Sequence, residues 1–159
     1  MKIIFSKKNR SIKIISIFII SLCFSTISTT VSADIFSGGR TNGIFNAYYD
    51  ASVSSHGYTT YYDQARQSWN GISSKVSIGK TTSTSDYPDK YYIGDTATEG
   101  LLGRHIPYKK NWLGSIVVAS NSDTWLYSTV SIYDNTMDQY NMTQSERISN
   151  ATGLVKKTV

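Results

Sequence analysis

The stretch "WLYSTVSIYDN", residues 125–135, constrains the fold most. Leu126, Ser128, Val130 and Ile132 fall on one side of an extended chain, and Tyr127, Thr129, Ser131 and Tyr133 on the other. Successive side chains of a strand point to opposite faces. Strict alternation therefore predicts a strand with one face covered and one less so. Further strands are expected at "IFNAYYD" (44–50), "KVSIGK" (75–80), "KYYIGD" (90–95) and "GSIVVAS" (114–120), which are rich in aromatic or branched residues.

Two helices are expected to cover that face. In "TTYYDQARQSWNG" (59–71), Thr60 and Asp63 stand in the spacing of a capping box, and Tyr62, Ala65, Trp69 and Ile72 make one apolar stripe. Asn70-Gly71 is a plausible stop. In "NMTQSERISNATGLVKKTV" (141–159), Thr143 and Glu146 form a second capping box. Ile148, Ala151, Thr152 and Val155 recur at helical spacing, and Lys156 and Lys157 complement the dipole in the last turn. "SGGRTNG" (37–43), "ASVSSHGY" (51–58), "TTSTSDYPD" (81–89) and "TATEGLLGRHIPYKKNW" (96–112) read as a flexible lead-in, two loops and a long irregular segment. A strand, a crossover helix and another strand suggest partly parallel pairing. The expected class is α+β: a mixed twisted sheet of about five strands with two helices packed on one face. Trp69 should pack onto Val130 and Ile132, with Ile148 and Ala151 also inward.

Residues 1–33 are set apart. Lys2, Lys7, Lys8, Arg10 and Lys13 precede the apolar run Ile14–Phe24, and "VSA" at 31–33 supplies small residues where a signal peptidase reads. That is the pattern of a secretory signal peptide, and it implies a secreted, extracellular protein beginning at Asp34. The signal holds five of the sixteen basic residues and none of the eleven acids, so the remaining chain has eleven of each and no net charge. The overall +5 therefore gives no reason to expect nucleic acid or, after cleavage, a membrane as partner. The single cysteine, Cys23, also lies in the signal, so the mature chain has no thiol or disulfide. With 126 residues it can form one ordinary domain, expected to be monomeric.

Few residues suggest chemistry. His56 and His105 are far apart in sequence and lie in Gly- or Pro-flanked stretches, which reads as two surface-loop histidines rather than zinc ligands. Asp86, Asp89, Asp95 and Glu99 could offer oxygens to calcium, but they lack EF-hand spacing and read more simply as a solvated acidic loop. No serine stands in G-x-S-x-G. The pairs Tyr48-Tyr49, Tyr61-Tyr62 and Tyr91-Tyr92 could form a sugar- or peptide-binding face, or divide between core and surface.

Three stretches carry a resemblance. "ARQSWNGIS" (65–73) is similar to the first helix, "YYIGD" (91–95) to the third strand, and residues 125–152 to the last strand, the I-x-x-N-x-M turn and the start of the active-site helix of the secreted bacterial matrixin-like zinc metalloproteases of the metzincin clan. The resemblance implies the upper subdomain of a metzincin-like fold, with zinc expected for the complete family. In that family H-E-x-x-H on the helix supplies two zinc-binding histidines and a general base. Aligned without a gap, the histidine positions hold Gly153 and Lys157, and the glutamate position holds Leu154. No catalytic, cofactor-binding or metal-ligating residue is therefore assigned, and no cofactor is expected in this form. The resemblance implies a metalloprotease-like domain over 34–159, incomplete at its C-terminus. Its function would be that of a secreted protein of metalloendopeptidase lineage, inactive as it stands. The alternative is a non-catalytic secreted binding or toxin-like module whose tyrosine-rich surface meets a protein, peptide or cell-wall sugar.

Overall fold

The computed structural model describes residues 37–158, so the signal-peptide assignment over 1–33 lies outside the described residues. The strands are β1 (Gly39–Arg40), β2 (Ile44–Tyr49), β3 (Ser77–Thr81), β4 (Asp89–Gly94), β5 (Gly103–Lys110), β6 (Ile116–Val118), β7 (Thr124–Trp125) and β8 (Tyr127–Tyr133). The helices are α1 (Ala51–Ser55), α2 (Thr59–Gln67), α3 (Asp134–Gln139) and α4 (Gln144–Lys156). The α+β class with a mixed sheet is as expected. The main sheet, however, has six strands in the order β3-β2-β4-β8-β5-β6, and β1 and β7 form a separate parallel pair.

β2, β3, β4 and β8 run parallel, while β5 and β6 pair antiparallel at the far side. Ala47, Ile78, Tyr91, Ile93, Val130 and Ile132 bury one face of this sheet under α2 and α4, which contribute Tyr62, Ala65, Ala151, Leu154 and Val155. Three core tyrosines meet there: the Tyr62 ring lies 4.8 Å from Tyr91, and Tyr49 lies 5.5 Å from Tyr91. The Tyr62 hydroxyl donates to the Tyr92 carbonyl at 2.9 Å, so its polar end is satisfied inside the apolar layer.

Several local expectations are corrected. α1 occupies the stretch read as a loop, because the Asp50 carboxylate accepts from the Ser52 N–H at 2.9 Å and caps it. α2 starts after Tyr58 with no side-chain cap; Asp63 instead accepts from the Tyr49 hydroxyl at 2.9 Å. α2 also ends at Gln67, so the stripe loses its last two members and Ile72 is 58% exposed. Trp69 packs against the core that holds Val130 and Ile132, as expected, but is not buried within it. It is half-buried beside the core, and its Nε1–H donates to the Thr152 carbonyl at 3.2 Å, tying the end of α2 to α4. β5 runs through the segment read as irregular, with Pro107 inside it. The α4 capping box is formed in full, with Thr143 and Glu146 each bonding the other's backbone N–H. Ala151 is buried in the core as expected, while Ile148 is only half-buried and is not among the side chains packed against it.

Candidate functional site

The positions that the resemblance assigns to zinc chemistry lie on the last turns of α4. Gly153 is exposed, Leu154 is buried, and Lys157 is the half-buried C-cap. Leu154 faces β5 so closely that a Cβ built on Gly103 would lie 2.5 Å from its Cδ1. A glycine has no donor, an ammonium has no lone pair, and a leucine has no base, so this set does not fit a zinc ion. Among the described residues, no group of three or more His, Cys, Asp or Glu side chains is arranged to hold a metal ion.

Of the two histidines, His56 is exposed in the turn after α1, as the surface-loop reading expects, and His105 is not in a loop. His56 is the C-cap of α1, and its Nδ1 lies 3.3 Å from Asp134. Asp134 also accepts from the Tyr58 hydroxyl and, at 2.6 Å, from Arg147, which reaches Asp138 at 2.6 Å as well. This cluster clamps α3 and the start of α4 to the α1–α2 corner. His105 lies in β5, not in a surface loop; its ring is 6.0 Å from Trp125. Burial first, and the Lys157 charge second, push its pKa down to about 4, so it is neutral at ordinary pH.

Of the four acids, Asp86, Asp95 and Glu99 are exposed as the solvated-loop reading expects, and Asp89 departs from it. Asp89 is fully buried and forms an ion pair with Arg40 of β1. Its Oδ1 also accepts from the Ser128 N–H at 2.7 Å, while Oδ2 has no hydrogen-bond partner. Desolvation outweighs the Arg40 charge and raises the Asp89 pKa to about 6. The "SGGRTNG" lead-in is thereby fixed to the sheet, since Arg40 also lies 3.8 Å over the Phe45 ring.

Two surface features remain that can take a ligand. The first is a cleft of about 470 Å³ lined by Arg40, Asn46, Thr81, Ser83, Asp86 and Tyr87, among others. Its wall is built by two short turns, in which Thr81 Oγ1 accepts from the Ser83 N–H and Ser83 Oγ from the Ser85 N–H, each at 3.1 Å. Asp86 and Tyr87 follow with φ of 61° and 54°. Left-handed non-glycine residues in succession cost about 1–3 kcal/mol each and concentrate at functional sites.

The second feature is the sheet face opposite the helices. The register brings Tyr48 beside Lys90, Tyr92 beside Ser131 and Tyr108 beside Tyr127 on this side. Tyr108 and Tyr127 stack at 5.0 Å and 11°, and Tyr87 continues the stack onto Tyr127 at 5.9 Å and 26°. Lys110 sits 4.7 Å over Tyr87, and Lys90 5.8 Å over Tyr127. None of the outward residues of the six strands is buried. The pairs Tyr48-Tyr49 and Tyr91-Tyr92 thus divide between core and surface, as strand alternation requires. Sequence reasoning missed that Tyr108 and Tyr127 join Tyr87, because the cross-strand register is nonlocal. Comparison with known proteins gives no family model, no curated protein and no solved structure that matches this chain.

Proposed function

We propose that this chain is a secreted protein of zinc-metalloendopeptidase lineage that performs no zinc chemistry with the residues it has. The order of elements supports the lineage. α2 is followed by a strand, "YYIG" falls in β4, and β8 leads through Ile132-x-x-Asn135-x-Met137 into α3 and the capped α4. One observation carries the lack of activity: Leu154, standing where the general base would be, is packed in the core against β5. The protein is exported, begins at Asp34 and works as a monomer in this reading. The test is elemental analysis and proteolysis assays on the secreted protein. The expected result is no stoichiometric zinc and no chelator-sensitive cleavage of casein. One zinc per chain with chelator-sensitive cleavage would overturn the reading.

The helix-free sheet face favours a second reading, a non-catalytic binding module. A surface with stacked tyrosines, two lysines over their rings and an adjoining cleft suits recognition more than catalysis. Protection of Tyr87, Tyr108 and Tyr127 from nitration by a bound macromolecule would support it. Unchanged nitration with every class of macromolecule would sink it.

A further inference from the structure

We infer that the helix-free face of the sheet binds an acidic polysaccharide, a chain of sugar rings that each carry a carboxylate. The inference rests on the second reading above and names the ligand class for that surface.

Charge argues first. The outward positions of the six strands carry Lys90, Arg104 and Lys110 and no acid, although acids and bases balance over residues 34–159. Asp86, in the cleft wall, and Asp50, just past the end of β2, lie at the rim. Such an asymmetry favours an anionic partner and disfavours a cationic one.

Hydroxyl chemistry argues second. Tyr48, Tyr87, Tyr92, Tyr108, Tyr127 and Tyr133 border or line the face, and no hydrogen bond among the described residues uses their phenol groups. On the helix side, Tyr49, Tyr58 and Tyr62 donate to protein acceptors, and the Tyr91 hydroxyl, which does not, is buried away from any ligand. A row of uncommitted phenols beside ammonium groups matches alternating hydroxyls and carboxylates. An acidic peptide offers the charge without the hydroxyls, and a neutral glucan offers the hydroxyls without the charge.

Shape argues third. The cleft opens at the Tyr87 end of the row, with Asn46, Thr81 and Ser83 as further amide and hydroxyl groups. At about 470 Å³ it falls within the usual range for a small-ligand site, so it can seat one ring while the remainder of the chain crosses the tyrosine row.

The test uses the secreted full chain and four probes: polygalacturonate, dextran, polyglutamate and phosphatidylglycerol vesicles. The expected result is calorimetric binding to polygalacturonate that weakens with added salt. Tyr87, Tyr108 and Tyr127 should become protected from nitration, while the exposed Tyr140 should not. Lys90→Glu/Lys110→Glu should weaken binding by about tenfold or more, whereas the exposed Lys75→Glu should leave it unchanged. Nitration protection in the unaltered protein keeps the test valid if the double variant misfolds. Equal binding of dextran, or of polyglutamate with the same tyrosine protection, would overturn the ligand class but leave the face a binding surface. Tyrosine protection by vesicles alone would do the same. No protection by any probe would overturn both.

Discussion

Replacing Arg40 by Met isolates the one ion pair among the described residues that is removed from water on both sides. The Asp89 side chain is fully buried and that of Arg40 is 6% exposed. With Arg40 gone, Asp89 keeps the Ser128 N–H on Oδ1 and the neighbouring Thr158 hydroxyl, and no charge faces it in Arg40's place. Breaking a buried pair from one side costs about 3–5 kcal/mol, against a total of about 5–15 kcal/mol for a domain. With a urea slope of about 1–3 kcal/mol/M, the midpoint at pH 8 should fall by about 2 M. The pH dependence gives the sharper check. Asp89 has a folded-state pKa of about 6 against an ordinary 3.8. Between those values the folded protein holds a proton that the unfolded chain has released, so this group's contribution falls as pH rises through the window. Removing the Arg40 charge moves the upper end of the window higher. The deficit of Arg40→Met relative to the parent should therefore be large at pH 8 and shrink near pH 4 to the loss of packing on Phe45. Arg40→Met/Asp89→Asn should recover most of the loss at pH 8. Urea unfolding followed by tryptophan fluorescence reads each protein at each pH. A deficit below about 1 kcal/mol at pH 8, or one equal at pH 4 and pH 8, would refute the reasoning.

The capping groups should each matter by about 1 kcal/mol: Asp50→Ala frees the first turn of α1, and Thr143→Ala opens the capping box of α4, both measurable by urea midpoint. His105 gives a pH effect of the opposite sign to Asp89. Its folded pKa is about 4 against 6.5 unfolded, so its contribution is full above pH 6.5 and lost as pH falls toward 4. His105→Gln should therefore gain about 2–3 kcal/mol relative to the parent between pH 7.5 and pH 4.5, and a difference that is flat with pH would show that the ring is not held neutral.

What the sequence made legible was what local spacing encodes. β8 follows from its alternation, and the α4 box from Thr143 and Glu146 three apart. β2, β3 and β4 follow from short branched and aromatic runs. β5 did not, because Pro107 reads as a breaker. Its missing N–H is tolerated because β5 is held elsewhere, by β8 and by the Ala119 N–H donating to the Pro107 carbonyl at 2.9 Å. α1 did not either, since its serines favour turns and only Asp50 signals the start. At the site, Asp89 looked like a loop acid because its partner, Arg40, lies forty-nine residues away in what read as a flexible segment. Burial turned it from a solvated charge into the anchor of β1.

Two glycines near the proposed lineage site should respond in opposite directions. Gly153 is helical, inside α4, and a Cβ added there meets nothing within 4 Å. Its backbone conformation suits alanine, so Gly153→Ala should stabilise by about 0.5–1 kcal/mol through lower entropy of the unfolded chain. Gly103, at the start of β5, has no such room. A Cβ there would lie 2.5 Å from Leu154 Cδ1 and 2.7 Å from the Ser131 carbonyl oxygen. The leucine end can rotate, but the strand carbonyl cannot move without disturbing the β5–β8 ladder. Gly103→Ala should therefore cost about 1–3 kcal/mol. Thermal unfolding of the two glycine variants, of Leu154→Ala, and of Leu154→Ala combined with each glycine variant decides the matter. If the packing of Leu154 on β5 occupies the base position as described, Leu154→Ala should relieve part of the Gly103→Ala penalty and leave the Gly153→Ala gain untouched. The same penalty with and without Leu154 would mean that α4 does not rest on β5 through that side chain.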